Sequence, residues 1–474
     1  MRALVRQPAL LVSAVLGLLL LVTSGRYGYH RDELYFLEAG RHLAAGYPDQ
    51  PPLVPAIARA MSEIAPHSLV LLRLPSTLAA MAVVLLAGAM ARRLGAGSGG
   101  QLLAAAATAV CGFTLGMGHL LSTATFGLLG WTLLSYLVLR LVQGDDSRRW
   151  LLAGVVAGLT LMANVLVAFL VLALVASLLA VGPRALLRSP WPWIGAAVAL
   201  VLALPYLIWQ ANHGWPQLDV ADAIAAGESG SSSSRLAFVP TLMLQVGPWL
   251  VPVWVWGLAR LWRDRELRCF AVSFALLLVV FVLAAGKPYY LAGLFPLLFA
   301  AGAQPLLDRV RRWIAAALLV LSLPALVFTL PLLPVSGVDL VINVNYDAGE
   351  TIGWPQFTRQ IAHAHADLPP GTPIVTSNYG QAGAIDRFGP GLGLPEAYSG
   401  HNGYAAWGQP PGAVPALVVG GDPVLLDGMC ADLRTLGTVS SPSDVDNDED
   451  GTRLSYCVPV QEWRRLWPEL TRVG

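Results

Sequence analysis

The sequence predicts an all-α membrane protein with about eleven helical spans, followed by a small α/β domain outside the membrane. Apolar residues make up 55% of the 474 residues and charged residues only 12%, against about 25% charged in soluble domains. The chain contains repeated apolar runs of about 20 residues each, the length of helix that crosses a bilayer. Residues 1–334 carry ten more basic than acidic residues, whereas 335–474 carry nine more acidic than basic residues. We therefore divide the chain near Pro334 into a membrane half and an acidic, soluble C-terminal domain.

The apolar runs define eleven predicted spans, separated by short polar or charged connections. The fifth and sixth have two interpretations, because Trp150 to Val181 fits either two short spans that meet at Asn164 or one tilted helix with a re-entrant turn. The spans lie at 8–24, 69–91, 101–117, 122–142, 150–162, 164–181, 193–209, 238–260, 269–285, 289–306 and 313–333.

Arginines fall in alternate connections, and this pattern predicts the orientation. Arg2, the pair Arg92 and Arg93 and the pair Arg148 and Arg149 lie on one side of the predicted spans, and short cytoplasmic loops are enriched in basic residues. The N-terminus is therefore expected in the cytoplasm, and an odd number of spans places the C-terminal domain outside. Only one of the 30 basic residues is lysine, which is typical of a GC-rich bacterial gene. The sequence shows no dense cluster of basic residues, which is the feature that indicates nucleic-acid binding.

The C-terminal domain combines short β-rich runs with helical stretches. Cys430 and Cys457 both lie in it, and an oxidising compartment favours a disulfide between them. Residues 446–451 begin like a calcium loop, but position 12 is Cys457 instead of glutamate, so we expect a solvated hairpin. Strands are expected near 373–376 and 415–419, and helices near 354–366 and 381–388.

Five of the thirteen acidic residues of the membrane half crowd into the predicted external segment 25–67. Asp32 is expected at or near the N-cap of a short helix. One interpretation is a solvated loop with a helix cap. The other is that Asp32 and Glu33, with His30 and Asp49 near them, supply a general base or a metal-binding cluster at the outer membrane surface.

Three features of this region occur together: an Asp-Glu pair just after the first span, a downstream Asp49-Gln50-Pro51-Pro52-Leu53, and an outward C-terminal domain. This combination resembles the protein O-mannosyltransferase and lipid A aminoarabinose transferase group of the GT-C glycosyltransferases. The resemblance covers about the first 330 residues in architecture. It is densest in His30 to Pro55, and the C-terminal motifs at 378–385 and 398–408 resemble bacterial members of the group.

The resemblance implies transfer of a sugar from a polyprenyl-phosphate donor to a lipid, glycan or protein acceptor on the outer face of the membrane, with inversion at the anomeric carbon. Asp32 matches the base position of the family, and Glu33 matches its acidic neighbour. Lys287 matches the basic residue that the family places before an aromatic pair, here Tyr289 and Tyr290. Cations near the leaving phosphate would stabilise its charge.

Lys287, Arg73 and Arg31 are therefore the candidates for binding the donor phosphate. Lys287 has the alternative of a snorkelling anchor at the end of a span, and Arg73 would pair with Glu63 or with the lipid phosphate. Further substrate contacts are expected from His30, Asp49, Tyr289 and Tyr290.

One position departs from the family pattern. Relatives commonly carry an aspartate at the head of the fourth helix, where this sequence has Gly127. A divalent metal held by Asp32, Glu33 and Asp49 stays an open alternative, because the missing aspartate puts metal dependence in doubt.

Two other classes of function compete with the transferase. A transporter or flippase of lipid-linked glycans would place ionisable residues at mid-membrane and often shows internal repeats, whereas the acidic residues here cluster at one surface. A non-catalytic GT-C-like protein that binds the acceptor is the other alternative, since the fourth-helix aspartate is missing.

Overall fold

A computed structural model describes residues 8–227, 234–442 and 445–473. The membrane half is helical, with short 3₁₀ turns at Arg184–Leu187, Pro248–Leu250 and Pro288–Leu294. Its helices are α1 (Pro8–Thr23), α2 (Arg31–Arg41), α3 (Leu53–Ile64), α4 (Leu69–Arg93), α5 (Ser98–Val110), α6 (Gly112–His119), α7 (Thr123–Val142), α8 (Arg149–Leu161), α9 (Val167–Ala180), α10 (Trp191–Asn212), α11 (Pro216–Ala226), α12 (Phe238–Val246), α13 (Val251–Arg263), α14 (Arg268–Leu283), α15 (Phe295–Leu307), α16 (Arg312–Ser322) and α17 (Pro324–Thr329).

Every predicted span overlaps a helix, but fewer helices are long enough to cross a membrane alone. Within the part of the chain that the structure describes, five apolar segments reach that length: α4, α7, α10, Pro288–Leu307 and Arg312–Thr329. Two bent pairs, α5 with α6 at 57° and α12 with α13 at 86°, raise the number to seven. The helices α1, α8, α9 and α14 are apolar but shorter. The count of eleven crossings therefore stays a prediction.

The breaks between helices have local causes. Gly247, between α12 and the turn that precedes α13, has a φ of 108°, a conformation that glycine adopts without steric cost. Asn164 separates α8 from α9, and its Oδ1 accepts a hydrogen bond from the Leu166 amide at 3.0 Å. The stretch from 150 to 181 thus forms two short helices on either side of Asn164, and that each of them crosses the membrane stays a prediction.

Helix α4 organises the bundle. The hydroxyl of Ser68 accepts a hydrogen bond from the Leu71 amide at 3.1 Å and caps its start. Arg92 and Arg93 lie in the last turn, where basic side chains complement the helix dipole. The helix packs against α1, α5, α7 and α15. It thereby sets the position of Arg73, which lies near its N-terminal end.

The C-terminal segment contains a five-stranded sheet with the order β2-β1-β3-β5-β4. The strand β1 is parallel to β2 and β3, whereas β5 runs antiparallel between β3 and β4. The predicted strands and helices of this segment overlap β1, β3, α19 and α20. The elements are α18 (Asp339–Ile342), α19 (Trp354–Ala366), β1 (Ile374–Thr376), α20 (Tyr379–Phe388), β2 (Ala397–Ser399), α21 (Tyr404–Trp407), β3 (Ala416–Val419), α22 (Pro423–Met429), β4 (Cys430–Thr438), β5 (Arg453–Pro459) and α23 (Trp463–Leu470), with 3₁₀ turns at Val335–Gly337, Tyr346–Thr351 and Pro390–Leu392.

A disulfide joins Cys430, at the start of β4, to Cys457 in β5. The two Cα atoms lie 5.4 Å apart, within the normal range for a disulfide. The bond ties the ends of the β4–β5 hairpin together, and both cysteines are buried. Cys111 and Cys269 are free and buried in the membrane half.

The C-terminal segment and the segment 25–67 share one hydrophobic core. Leu34 and Phe36 of α2 belong to the same buried cluster as Trp354, Ile385 and Leu417. Burial of such apolar side chains is the main favourable term that holds the two parts together. The predicted external domain is therefore packed directly on the helix that carries Asp32 and Glu33.

Candidate active site

Helix α2 begins with two reciprocal hydrogen bonds. The Nδ1 atom of His30 accepts from the Asp32 amide at 3.2 Å, and the Glu33 carboxylate accepts from the His30 amide at 2.9 Å. This arrangement is a capping box, with His30 as the N-cap. Asp32 lies in the first turn, two residues beyond the cap, where a negative charge is favoured by the helix dipole.

Glu33 and Arg73 form a fully buried ion pair. The Nε atom of Arg73 donates to Oε1 of Glu33 at 2.8 Å, and Nη2 donates to Oε2 at 2.7 Å. Arg73 also donates to the carbonyls of Ser24 and Gly28, both at 2.7 Å. Its Nη1 lies 3.4 Å from Nε2 of His119. All five N–H groups of the guanidinium therefore have partners.

This geometry corrects two predicted contacts. Arg73 has no N–H group left for a donor phosphate, and Glu63 pairs with Arg59 at 2.7 Å instead of with Arg73. Glu33 accepts a further hydrogen bond from the Leu121 amide at 3.0 Å. Its carboxylate is completely buried, so the pair is suited to hold the start of α2 in place.

A cavity of about 580 Å³ lies between the bundle and the C-terminal segment. Charged and tyrosine side chains that contact one another cluster at one end, the polar end, and the rest of the lining is mainly apolar with a few polar side chains such as Gln245 and Ser322. The polar end is lined by His30, Arg31, Asp32, Asp49, Lys287, Tyr289, Tyr346, Asp347 and Tyr379. The apolar walls include Phe113, Met117, Leu244, Trp249, Leu321 and Phe328.

Asp32 lies on the wall of the polar end. Its Oδ1 accepts a hydrogen bond from the hydroxyl of Tyr379 at 2.7 Å. Its Oδ2 lies 3.8 Å from Nδ1 of His30. The side chain is 38% exposed, so this carboxylate, unlike that of Glu33, can meet a molecule in the cavity.

Asp49 faces the same cavity and is held by a second tyrosine. The hydroxyl of Tyr35 donates to Oδ1 of Asp49 at 2.7 Å and accepts from the Gly403 amide at 3.0 Å. Burial raises the pKa of Asp49 to about 7, and the charge of Asp32 acts in the same direction. Near neutral pH this carboxyl therefore exists in both protonation states, as suits a group that exchanges protons.

The three predicted phosphate ligands have different surroundings. Arg31 lines the cavity, but its Nη1 lies 3.3 Å from Glu350 and 3.1 Å from Asp448, and its Nη2 donates to Tyr346 at 2.5 Å. Lys287 also lines the cavity. Burial lowers the pKa of Lys287, although the charges of Asp32 and Asp347 oppose the shift. Of the three, Arg31 and Lys287 line the cavity, and Arg73 does not.

The aromatic pair after Lys287 is split between two surfaces. Tyr289 lines the cavity, whereas Tyr290 packs edge-on against Tyr289 at 5.2 Å and against Phe281 at 5.4 Å. Tyr289 is therefore placed for substrate contact, and Tyr290 supports it from behind.

Comparison with known proteins agrees with this architecture. Residues 49–209, about a third of the chain, match the family model described as dolichyl-phosphate-mannose-protein mannosyltransferase. ArnT from Cupriavidus metallidurans in the apo state matches with a TM-score of 0.60 at 17% identity, over 94% of this chain and 97% of that chain. The chain has the GT-C fold.

Two further structures share this GT-C fold. ArnT from Cupriavidus metallidurans bound to undecaprenyl phosphate matches with a TM-score of 0.59 at 17% identity, over 95% of this chain and 98% of that chain. The Archaeoglobus fulgidus oligosaccharyltransferase tethered with an acceptor peptide matches with a TM-score of 0.51 at 12% identity, over 80% of this chain and 63% of that chain. None of the curated proteins matches the sequence.

The predicted metal cluster is not assembled in this GT-C chain. Among the residues that the structure describes, no three His, Cys, Asp or Glu side chains are placed to hold a metal ion. Glu33 pairs with Arg73, and it does not line the cavity that Asp32 and Asp49 line. At Gly127, a Cβ atom would lie 3.1 Å from the side-chain amide of Asn164, so Asn164 occupies the space beside this glycine.

Sequence reasoning missed the residues that the C-terminal segment contributes: Tyr346, Asp347 and Tyr379. Asp347 lies 3.9 Å from Nε2 of His30. Burial favours a higher pKa for Asp347, but the nearby His30 and the charges of Arg31 and Lys287 hold that pKa below the usual value. Tyr379 belongs to a motif that the resemblance had marked, whereas nothing in the sequence links the turn around Asp347 to His30.

The acidic stretch 446–451 lies in the connection between the antiparallel strands β4 and β5, as predicted for a solvated hairpin, and Asp446, Asp448 and Asp450 are exposed. Glu449 is buried and accepts hydrogen bonds from Gln381 at 2.6 Å and Asn378 at 3.1 Å. Asp448 approaches Arg31. Glu449 alone departs from the prediction by being buried, and its contacts at the start of α20, with the contact of Asp448 to α2, help to fasten the C-terminal segment to the site.

Proposed function

We propose that this chain is an integral-membrane glycosyltransferase that moves a sugar from a polyprenyl-phosphate donor to an acceptor on the outer face of the membrane. The observation that carries the proposal is one cavity in which a partly exposed carboxylate, Asp32, and a cation, Lys287, share a polar end that continues into apolar walls. The membrane half would lie in a bacterial cell membrane with its N-terminus in the cytoplasm and the C-terminal segment outside.

The shape and lining of the cavity suit an amphipathic donor. Its volume of about 580 Å³ falls in the range of ligand pockets, which combine apolar walls with a few placed polar groups. The side chains of Phe113, Met117, Trp249 and Phe328 would contact the isoprenoid chain, and Lys287 would face the phosphate. The GT-C fold also occurs in ArnT, whose structure has been determined with undecaprenyl phosphate.

In the proposed reaction, Asp32 and Lys287 each have one role. Asp32 accepts the proton of the acceptor hydroxyl, whose oxygen forms a bond to the anomeric carbon. The bond from that carbon to the phosphate oxygen breaks, and its electron pair leaves with the polyprenyl phosphate. Attack from the face opposite the phosphate inverts the anomeric carbon. Lys287 stabilises the negative charge on the leaving group.

Turnover of a donor panel tests this proposal. Purified protein in lipid vesicles is incubated with labelled polyprenyl-phosphate sugars and a cell-envelope acceptor fraction, and released polyprenyl phosphate is measured. Release that depends on the acceptor fraction is expected for one donor. Movement of labelled lipid between leaflets without release would contradict the proposal and support the flippase alternative. Binding of the donor without release of polyprenyl phosphate and without movement of lipid between leaflets would support the non-catalytic alternative.

A further inference from the structure

Two tyrosines hold two of the carboxylates that line the cavity, Asp32 and Asp49. Tyr379 of α20 donates to Asp32, and Tyr35 of α2 donates to Asp49, each at 2.7 Å. The two rings lie 4.9 Å apart. The hydrogen bond to Asp32 thus crosses from the C-terminal segment to the membrane half, over 347 positions of sequence.

Small residues allow this contact. A Cβ atom at Gly380 would lie 2.9 Å from Cβ of Arg31, and one at Gly383 would lie 2.9 Å from Cβ of Leu34. Such distances are too short for any larger side chain. The helices α20 and α2 therefore approach closely along a face that places Tyr379 against Asp32.

Polar contacts fix the start of α20. The side chain of Asn378 accepts a hydrogen bond from the Gln381 amide at 2.9 Å and caps the helix. Asn378 and Gln381 both donate to the buried Glu449. Tyr379 lies between these two residues, so its position is determined by the cap on one side and by the helix contact on the other.

We propose that Tyr379 is a positioning residue for Asp32, so that the C-terminal segment completes the active site in addition to any part in acceptor binding. The inference rests on the proposed transferase function. Tyr379 holds Oδ1, which limits rotation of the partly exposed carboxylate and leaves Oδ2 for the acceptor proton. A carboxylate without this contact would spend less time in the reactive orientation, and misplacement of reacting groups by about 1 Å can cost about 100-fold in rate.

The test compares Tyr379→Phe with Tyr404→Phe. Tyr404 is a matched control, because its hydroxyl donates to the half-buried carboxylate of Asp386 at 2.8 Å. Neither Tyr404 nor Asp386 lines the cavity. Initial rates are measured over a range of donor concentrations with the donor that the wild type uses. Tyr379→Phe is expected to lower kcat about 10- to 100-fold with KM unchanged, the effect of losing one hydrogen bond to a charged group. Tyr404→Phe is expected to keep the wild-type kcat.

Several outcomes would overturn the inference. Equal kcat values for the two variants, or a raised KM with unchanged kcat for Tyr379→Phe, would show that Tyr379 does not act through Asp32. If Tyr379→Phe fails to fold, Gly383→Ala decides, because it keeps the hydroxyl but separates α20 from α2 and should lower kcat alone. A wild type that transfers nothing overturns the proposed function itself. Wild-type transfer that Asp32→Asn abolishes but Tyr379→Phe preserves overturns only this inference.

Discussion

Replacing Glu33 by glutamine tests whether this residue supports the fold or performs chemistry. The wild-type carboxylate accepts four hydrogen bonds in a fully buried position, two from Arg73 and one each from the amides of His30 and Leu121. Glutamine keeps the shape but presents an NH₂ group to two of these donors and removes the charge that balances the guanidinium. Breaking a buried ion pair on one side costs about 3–5 kcal/mol.

That loss is large compared with the total stability of about 5–15 kcal/mol that is typical of folded proteins. The assay is thermal unfolding of the purified variant in detergent, followed by intrinsic fluorescence. Glu63→Gln is the matched control, because Glu63 pairs with Arg59 in an exposed position and such pairs contribute about 0–1 kcal/mol. We expect a melting midpoint well below wild type for Glu33→Gln and little change for Glu63→Gln.

Transfer activity per folded molecule supplies the second measurement. If Glu33 only holds the start of α2, the Glu33→Gln molecules that remain folded retain measurable transfer. A variant that melts with the wild type yet transfers no sugar would refute this reasoning. It would restore the direct catalytic role that the sequence predicts for Glu33.

Three further predictions follow from the same structure. Asp49→Asn removes a carboxyl whose pKa is raised to about 7. Because this carboxyl holds its proton more strongly in the folded protein than in the unfolded chain, the free energy of unfolding of the wild type should fall relative to that of the variant as pH rises from about 4 to 7. The melting midpoints of both proteins at each pH measure this difference. Lys287→Met should weaken undecaprenyl phosphate binding about 10- to 100-fold in native mass spectrometry, whereas Lys287→Arg should retain it. Replacing Cys430 and Cys457 by serine should cost about 3–4 kcal/mol of stability, seen as lower resistance of the C-terminal segment to urea and protease.

Much of the fold could be predicted from local patterns. Apolar runs located helices in all eleven predicted spans, and the β-rich runs at 373–376 and 415–419 coincide with β1 and β3. These patterns depend on residues close together in the sequence. Bends such as the one at Gly247, and the number of helices that cross a membrane, depend on how neighbouring helices pack, which the periodicity of one helix does not record.

The site could be predicted only in part, because many of its contacts join residues that are far apart in the sequence. Asp32, Asp49 and Lys287 stood out because charges are scarce near the apolar runs, and all three line the cavity. The partners of Arg73 could not be read from spacing, since Glu33 lies 40 positions away. Tyr379 and Asp347 lie more than 300 positions from the residues they contact, so their place in the site depends on the docking of the C-terminal segment.

Transfer by Asp32→Asn tests the central claim most directly. Asparagine keeps an acceptor for the Tyr379 hydroxyl but is far too weak a base to take the proton of the acceptor. With donor bound at saturation, measured separately for each protein, single-turnover transfer should be lost in Asp32→Asn. It should be kept in Asp427→Asn, a change at an exposed position outside the cavity. Equal single-turnover rates for wild type and Asp32→Asn would contradict the account, because Asp32 could then not be the base.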